Sequence, residues 1–365
     1  MMAPERTLQS DYMRFAKLET GARFNLATSG VADCDLSDLN VSLDDLALHG
    51  PNAYGYRPLV EKIAARFRVP EDCVVVPGGG CSFANHLAMA TLLAPGDEVL
   101  IEDPTYELLA ATLGALSARP KTFTRTLEQA WRLDVDEIVA RLGPATRLIV
   151  VTNLHNPSGA LVSPEEIANI ARAAEAVGAW LLVDEVYLEL AYADGLGPTG
   201  FDPNGKVIVT SSLTKVYGLS GLRCGWILAP AALAQKMRRL NDLFGVMPPH
   251  IAERLAEVAF DQLAALRRRA ETMISLNQLA YAELLGAHPS LEQIVFDHAT
   301  TVFPRLRMGS VDALASRLTR DFETTIGPGR FFGHPGHFRI GLAGDPAMTR
   351  AGLERVAEAL GQDCG

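Results

Sequence analysis

Between about residue 60 and residue 230 the chain alternates short apolar, β-rich runs with stretches of helical length, a rhythm that few architectures accept. Candidate strands are Cys73–Val76, Glu98–Glu102, Arg147–Thr152, Trp180–Val183, Val207–Ser211 and Trp226–Ala229, with helical segments such as Ser82–Leu93 and Ser163–Val177 between them. The second helix opens on a capping box, with Ser163 followed by Pro164 at the first helical position and Glu166 three residues on. The alternation predicts an α/β fold whose large domain holds a mostly parallel sheet sandwiched by helices. After about Phe244 the pattern changes. A long helical reach, Pro249–Leu285, leads to shorter strand-like pieces at Thr301–Arg307 and His337–Leu342, read as a smaller α+β domain. The expected division is a large domain over 46–244 and a small one built from 1–45 and 245–365.

Bulk numbers narrow the function classes. A 365-residue chain that is 48% hydrophobic has ample material for a sizeable core and two domains. Net charge is −10 with no sustained basic run, which argues against nucleic acid and anionic membranes as partners. The densest basic cluster, Arg267-Arg268-Arg269, reads as a solvated helix face. Met1–Arg6 is too polar for a secretory signal, and no apolar run approaches the ~18–20 residues of a membrane span. Cys34, Cys73, Cys81, Cys224 and Cys364 are odd in number and lack paired spacing, as expected for a soluble protein of the reducing cytoplasm.

In sheets of this kind ligands gather at the carboxyl ends of strands, and the noteworthy polar residues fall there. Ser211-Ser212-Leu213-Thr214-Lys215 follows an apolar strand, and Arg223 comes eight residues after the lysine. A cation among small hydroxyls at a strand end costs free energy unless it has a purpose. Lysine becomes an imine-forming nucleophile when its surroundings lower its pKa, and the hydroxyls and arginine suit a phosphate monoester. Together they point to a phosphorylated aldehyde, pyridoxal 5′-phosphate, held by Lys215; the plain alternative is a surface lysine after an edge strand. Asp184-Glu185-Val186-Tyr187 ends a buried strand. A carboxylate there can keep a pyridine nitrogen protonated, making the ring an electron sink, and Tyr187 can reach the ring's 3′ oxygen. Ordinary turn-capping acids are the alternative.

Asn156, in Asn153–Gly159, offers an amide donor to the same oxygen unless the segment is only a Pro/Gly turn; neighbouring His155 reads as a packing histidine. Pro77-Gly78-Gly79-Gly80-Cys81-Ser82 links a strand to a helix, so its N–H groups and the Ser82 hydroxyl make a weak anion-site candidate. It fits neither the dinucleotide fingerprint nor the P-loop. Tyr106 follows the next strand, where it could stack on a ring or sit in the core. Arg339 interrupts an apolar strand, and its fork suits a substrate carboxylate or an internal ion pair. His334 and His337 lack a partner at metal-ligand spacing, so no metal is expected.

Taken in order, Pro-Thr-Tyr, Asn-Pro-Ser-Gly, Asp-x-x-Tyr, Ser-x-x-Lys and the following arginine resemble the fold-type I pyridoxal-phosphate enzymes, specifically the class I/II aminotransferase family, from about Asn25 to Gly341. The resemblance implies that Lys215 is the imine lysine and proton shuttle, that Asp184 pairs with the pyridine nitrogen, and that Tyr187 and Asn156 bind the 3′ oxygen. It implies a phosphate cradle of Gly80, Cys81, Ser82, Ser212, Thr214 and Arg223, a stacking Tyr106, and Arg339 on the α-carboxylate. Gly30, in Asn25–Gly30, falls near the substrate. Members are usually homodimers in which a tyrosine reaches the partner's phosphate. Tyr54 is the choice here, with Tyr56 as the alternative, because Leu59 is followed by Val60 rather than the family's arginine. The expected activity is transfer of an amino group between an α-amino acid and a 2-oxo acid. The Asn25–Gly30 and Gly221–Trp226 runs also resemble the capreomycidine-synthase-like branch. The rival is therefore a lyase or cyclase working by β-elimination or replacement, followed by a non-catalytic cofactor-binding protein.

Overall fold

The computed structural model describes residues 9–192 and 197–361. Met1–Arg6 and Cys364, read above for leader and pairing, lie outside them. The first half runs α1 (Asp11–Leu18), β1 (Phe24–Asn25), α2 (Arg57–Phe67), β2 (Val74–Val75), α3 (Gly80–Leu92), β3 (Glu98–Asp103), α4 (Glu107–Ala115), β4 (Arg119–Thr124), α5 (Val135–Arg141), β5 (Thr146–Thr152) and α6 (Pro164–Ala176). Then come β6 (Trp180–Asp184), β7 (Val207–Ser212), β8 (Gly225–Leu228), α7 (Ala231–Asn241), α8 (His250–Phe260) and α9 (Leu263–Leu285). The last part holds β9 (Leu291–Glu292), β10 (Thr301–Val302), β11 (Arg305–Leu306), α10 (Val311–Phe322), β12 (Thr324–Thr325), β13 (Gly327–Pro328), β14 (Phe338–Gly341) and α11 (Pro346–Gly361).

Seven strands form the central sheet in the order β2-β8-β7-β6-β5-β3-β4. β4, β3, β5, β6 and β7 pair in parallel, while β8 runs antiparallel to both its neighbours. This is the α/β architecture the alternation predicts. Successive residues of each strand enter different cores: Leu181, Val183, Val207 and Val209 pack with α2, α6, α8 and the first part of α9. Leu182, Ile208, Leu148 and Val150 pack with α3, α4 and α7. Burial on both faces explains why these strands read as continuous apolar runs rather than alternating ones. The α6 capping box forms as expected, with Ser163 Oγ accepting from the Glu166 N–H at 3.2 Å. Such a cap is worth about 1 kcal/mol.

A separate core joins Leu26, the end of α9 (Ala280, Tyr281, Leu285), Phe338 and Ile340 of β14, and Leu353 and Val356 of α11. β1 pairs in parallel with β12, so residues just after the N-terminal helix share this layer, whereas α1 docks on α4 through Glu107, which accepts from Ser10 Oγ and, at 3.1 Å, from the Asp11 N–H.

Three sequence expectations are corrected. The reach Pro249–Leu285 is two helices, interrupted at Asp261 and Gln262. The Thr301–Arg307 piece is two strands separated by Phe303 and Pro304, since proline has no N–H to give to a ladder. Arg267–Arg269 is not one solvated face, because successive helical residues point about 100° apart. Arg267 is buried beside Glu271, and Arg269 donates to the carbonyls of Ala32 (2.8 Å) and Asp33 (3.0 Å).

Candidate active site

The registers bring three strand ends level: Thr152 of β5 lies beside Asp184 of β6, which lies beside Thr210 of β7. Thr152 is fixed by Glu102, whose carboxylate accepts from its N–H at 2.9 Å and from its hydroxyl. Glu102 also takes a 2.9 Å hydrogen bond from Arg125, both side chains being fully buried. Breaking such a pair costs about 3–5 kcal/mol, because a charge is left uncompensated in the core. Past these strand ends opens a cavity of about 280 Å³, lined by Cys81, Ser82, Tyr106, Asn156, Asp184, Tyr187, Ser212, Thr214, Lys215 and Arg223 together with residues of α1 and the 25–29 segment.

One end of the cavity is built for an anion. α3 starts there, with Gly79 in the left-handed region at φ 67° and Gly80 at φ 73°. A Cβ on Gly80 would lie 2.6 Å from Arg223 Nη2, so only glycine lets the guanidinium lie against the helix start. Arg223 donates to the Gly79 carbonyl at 2.9 Å, and Ser212 Oγ donates to Thr214 Oγ1 at 3.0 Å. The Gly80 N–H is taken by the Arg223 carbonyl at 2.7 Å, while the following N–H groups at the start of a 13-residue helix, two hydroxyls and an arginine suit a phosphate monoester.

At the other end Asp184 is buried. Its Oδ2 accepts from Asn85 Nδ2 at 2.7 Å, and its Oδ1 accepts from the Cys81 thiol at 3.3 Å and the Val186 N–H at 3.2 Å. Burial pushes the Asp184 carboxyl above the usual carboxylate range, against the pull of Asn85, Cys81, the Val186 N–H and Lys215. A buried carboxylate facing a cavity is the group that stabilises a protonated ring nitrogen. Burial and Asp184 hold the Cys81 thiol well above its ordinary value. The Cys81 side chain therefore lies against Asp184, whereas its place in the motif assigned it to the phosphate end. Lys215 also lines the cavity, donating to Ser29 Oγ at 3.3 Å, and the Tyr187 hydroxyl donates to the same oxygen at 2.8 Å. A Cβ on Gly30 would sit 3.3 Å from Lys215 Cδ, so the lysine stem runs over that glycine.

Arg339 is fully buried on β14. It donates to Asn156 Oδ1 at 3.0 Å and, through Nη2, to the Tyr12 hydroxyl and the Ala27 carbonyl, both at 2.7 Å. Its Nε has no partner among the described residues. Burial raises the Tyr12 phenol, but Arg339 and Lys215 outweigh it and hold the group below its ordinary value. Tyr106, at the start of α4, meets the Tyr12 ring edge-on at 5.7 Å.

Some residues stand apart from the cavity. Tyr54 is half exposed; its hydroxyl donates to Asp242 at 3.3 Å and accepts from Arg239 at 3.2 Å. Tyr56 packs edge-on against His250 at 5.1 Å, so neither tyrosine enters the cavity of its own chain. His155 is a buried loop histidine, within hydrogen-bonding distance of Ser158 Oγ (2.7 Å) and the Pro104 carbonyl (2.9 Å). Sequence reasoning did not single out Tyr12, Ser29 or Asn85. Asn85 carried the clearest signal, a polar residue four positions after Cys81 and therefore on the same face of a mostly apolar helix.

Comparison with known proteins agrees with this geometry. The profile of the family described as aminotransferase class I and II matches residues 45–360. Capreomycidine synthase of Streptomyces vinaceus is 30% identical over 93% of this chain and 90% of its own length. Arginine–pyruvate transaminase AruH of Pseudomonas aeruginosa is 29% identical over 96% and 94%. Among solved structures, a PLP-dependent aminotransferase from Streptococcus suis superposes with a TM-score of 0.88 at 21% identity, covering 99% of both chains. The PLP-dependent cyclase OrfR superposes with a TM-score of 0.85 at 22% identity, covering 100% of this chain and 98% of its own.

Proposed function

The chain belongs to the class I and II aminotransferase family and is a pyridoxal-phosphate-dependent aminotransferase of α-amino acids and 2-oxo acids, and we propose that Lys215, Asp184 and Tyr187 carry its chemistry. The observation behind this assignment is one cavity in which Lys215 lines the wall together with a buried carboxylate and an anion cradle. Pyridoxal phosphate supplies, when bound, an aldehyde carbon and a ring that spreads negative charge away from the amino acid's α-carbon. Gly80, Ser82, Ser212, Thr214 and Arg223 hold its phosphate, with Tyr54 or Tyr56 contributed by a second subunit. Asp184 keeps its ring nitrogen protonated, Tyr106 packs on its face, and Tyr187 and Asn156 address its 3′ oxygen.

Lys215 Nζ would take the proton from the substrate α-carbon and deliver it, from the same side of the cavity, to the carbon that was the cofactor's aldehyde. Ser29, bonded to both Lys215 and Tyr187, aims that amine. Arg339 binds the α-carboxylate with Asn156 holding its fork in plane, and Gly30 leaves room for the lysine stem. The division into 46–244 and 1–45 plus 245–365 belongs to the same proposal; the separate core of Leu26, the end of α9, β14 and α11 supports it, whereas α8 and the first part of α9 pack with the central sheet.

A second reading, ring closure or elimination on an amino acid, is favoured by the 30% identity to a capreomycidine synthase. One experiment separates the two. The cofactor-loaded protein is mixed with single amino acids without an acceptor. Conversion of the cofactor to its amine form with one equivalent of 2-oxo acid is expected; ammonia or a cyclic product would overturn the transferase reading.

Homodimerisation is also proposed. Leu243 (74% exposed), Val246 (66%) and neighbouring Phe244 and Met247 place a run of large apolar side chains in water beside Tyr54, the kind of cluster that marks an interaction surface. Sedimentation velocity is expected to give a dimer, and Val246→Asp a monomer; a monomeric wild-type protein would refute it. A cytoplasmic location is supported by the free thiols of Cys34, Cys73, Cys81 and Cys224 and is checked by cell fractionation. Among the described residues no helix is long and apolar enough to cross a membrane.

A further inference from the structure

The cavity has two chemically different ends. Among the described residues that line it, the charged side chains are Asp184, Lys215 and Arg223, all assigned above to the cofactor. The opposite wall is the inner face of α1. Tyr12, Met13, Phe15 and Ala16 fall within one helical turn and line the cavity together, continued by Thr20 and Thr28. That face touches both groups a bound amino acid must approach. The Tyr12 hydroxyl accepts from Arg339 at 2.7 Å, and Met13 Sδ lies 3.9 Å from the Tyr106 hydroxyl. Glu107 of α4 is engaged by Ser10 and the Asp11 N–H at the helix start, Glu19 pairs with Arg14, and neither these nor Asp11 and Lys17 of α1 line the cavity. An amino acid held by its carboxylate at Arg339, with its α-carbon near Lys215, has α1 as a neighbouring wall.

We propose that this face of α1 is the substrate's side-chain pocket and that it selects amino acids with uncharged, largely apolar side chains. The proposal rests on the aminotransferase reading. A carboxylate, ammonium or guanidinium entering beside Met13, Phe15 and Ala16 gives up its water and, among the described lining residues, meets no charge other than those assigned to the cofactor. An aliphatic or aromatic side chain instead gains from leaving water, and the thioether of Met13 adapts to its shape. The hydroxyls of Thr20 and Thr28 can serve a neutral polar tip but cannot neutralise a charge.

The test is a stopped-flow panel on the wild-type protein loaded with pyridoxal phosphate, using leucine, methionine, phenylalanine, aspartate, glutamate and arginine. The best apolar amino acid is expected to react roughly 100-fold faster per unit concentration than aspartate, glutamate or arginine. Met13→Arg supplies the missing cation and is expected to move the aspartate-to-leucine rate ratio up by about 10-fold. A charged amino acid that matches or exceeds every apolar one overturns the side-chain proposal while leaving the aminotransferase reading standing. An unchanged ratio in Met13→Arg likewise removes α1 from the pocket. If none of the six alters the bound cofactor, the aminotransferase reading fails and the pocket assignment with it.

Discussion

A Lys215→Ala protein is expected to fold, to bind pyridoxal phosphate without a covalent link, and to turn over roughly 10⁴-fold more slowly than wild type, the upper range for losing a positioned acid–base group. The contacts of Lys215 explain why the loss is chemical rather than structural. The side chain is only partly buried, and among the described residues its Nζ makes one hydrogen bond, to Ser29. Ser29 keeps the Tyr187 hydroxyl as a partner after the amine has gone. The β7 strand and Leu213, which hold the backbone of this segment, are buried and untouched by the substitution. Thermal denaturation is therefore expected to move little, while single-turnover rates collapse. Added methylamine is expected to restore part of the rate, because a small free amine can occupy the space of the missing one. A variant that still turned over within about tenfold of wild type would remove residue 215 from proton transfer.

Lys215 was legible because its signal is local: small hydroxyls, a preceding strand and an arginine within eight residues. The buried strands were legible for a related reason, since both faces of β5, β6 and β7 are covered and the apolar runs are uninterrupted. Edge strand β4 was not. Its sequence Arg-Pro-Lys-Thr-Phe-Thr buries only Phe123 fully and reads as loop, and proline is tolerated because the strand lies at the end of the sheet. The second tier of the site was hidden by chain distance. Tyr12 meets Arg339 across 327 residues, and Ser29 meets Tyr187 across 158, separations that no periodicity in a single chain encodes. Asn85 was hidden differently, by standing inside a helix whose other inward residues are core. The residues proposed to react were thus readable from spacing. Those that aim them required the fold.

The second large effect is expected at Asp184. In Asp184→Asn the amide can take over the carboxylate's place with little rearrangement. Its oxygen still accepts from the Val186 N–H, and its new amine meets Asn85, whose own amide can flip. The flip turns the Asn85 amine towards Thr210 Oγ1, a hydroxyl able to accept as well as donate, so the network closes again. What cannot be replaced is the negative charge opposite the ring nitrogen, and turnover is expected to fall by roughly 10²–10³-fold, the usual loss for one preorganised electrostatic contact. Stability without cofactor is expected to move the other way. Burial raises the Asp184 carboxyl above its ordinary value, so its favourable contribution is present below the unfolded pKa and is lost as pH rises through the folded one. Near neutral pH the wild-type apoprotein carries that penalty and the asparagine variant does not. Melting curves of the two apoproteins should accordingly diverge as pH climbs from the ordinary carboxylate range, with the variant more stable. A variant that keeps wild-type turnover, or an apoprotein that becomes less stable at neutral pH, would show that the charge at 184 serves the fold rather than the cofactor.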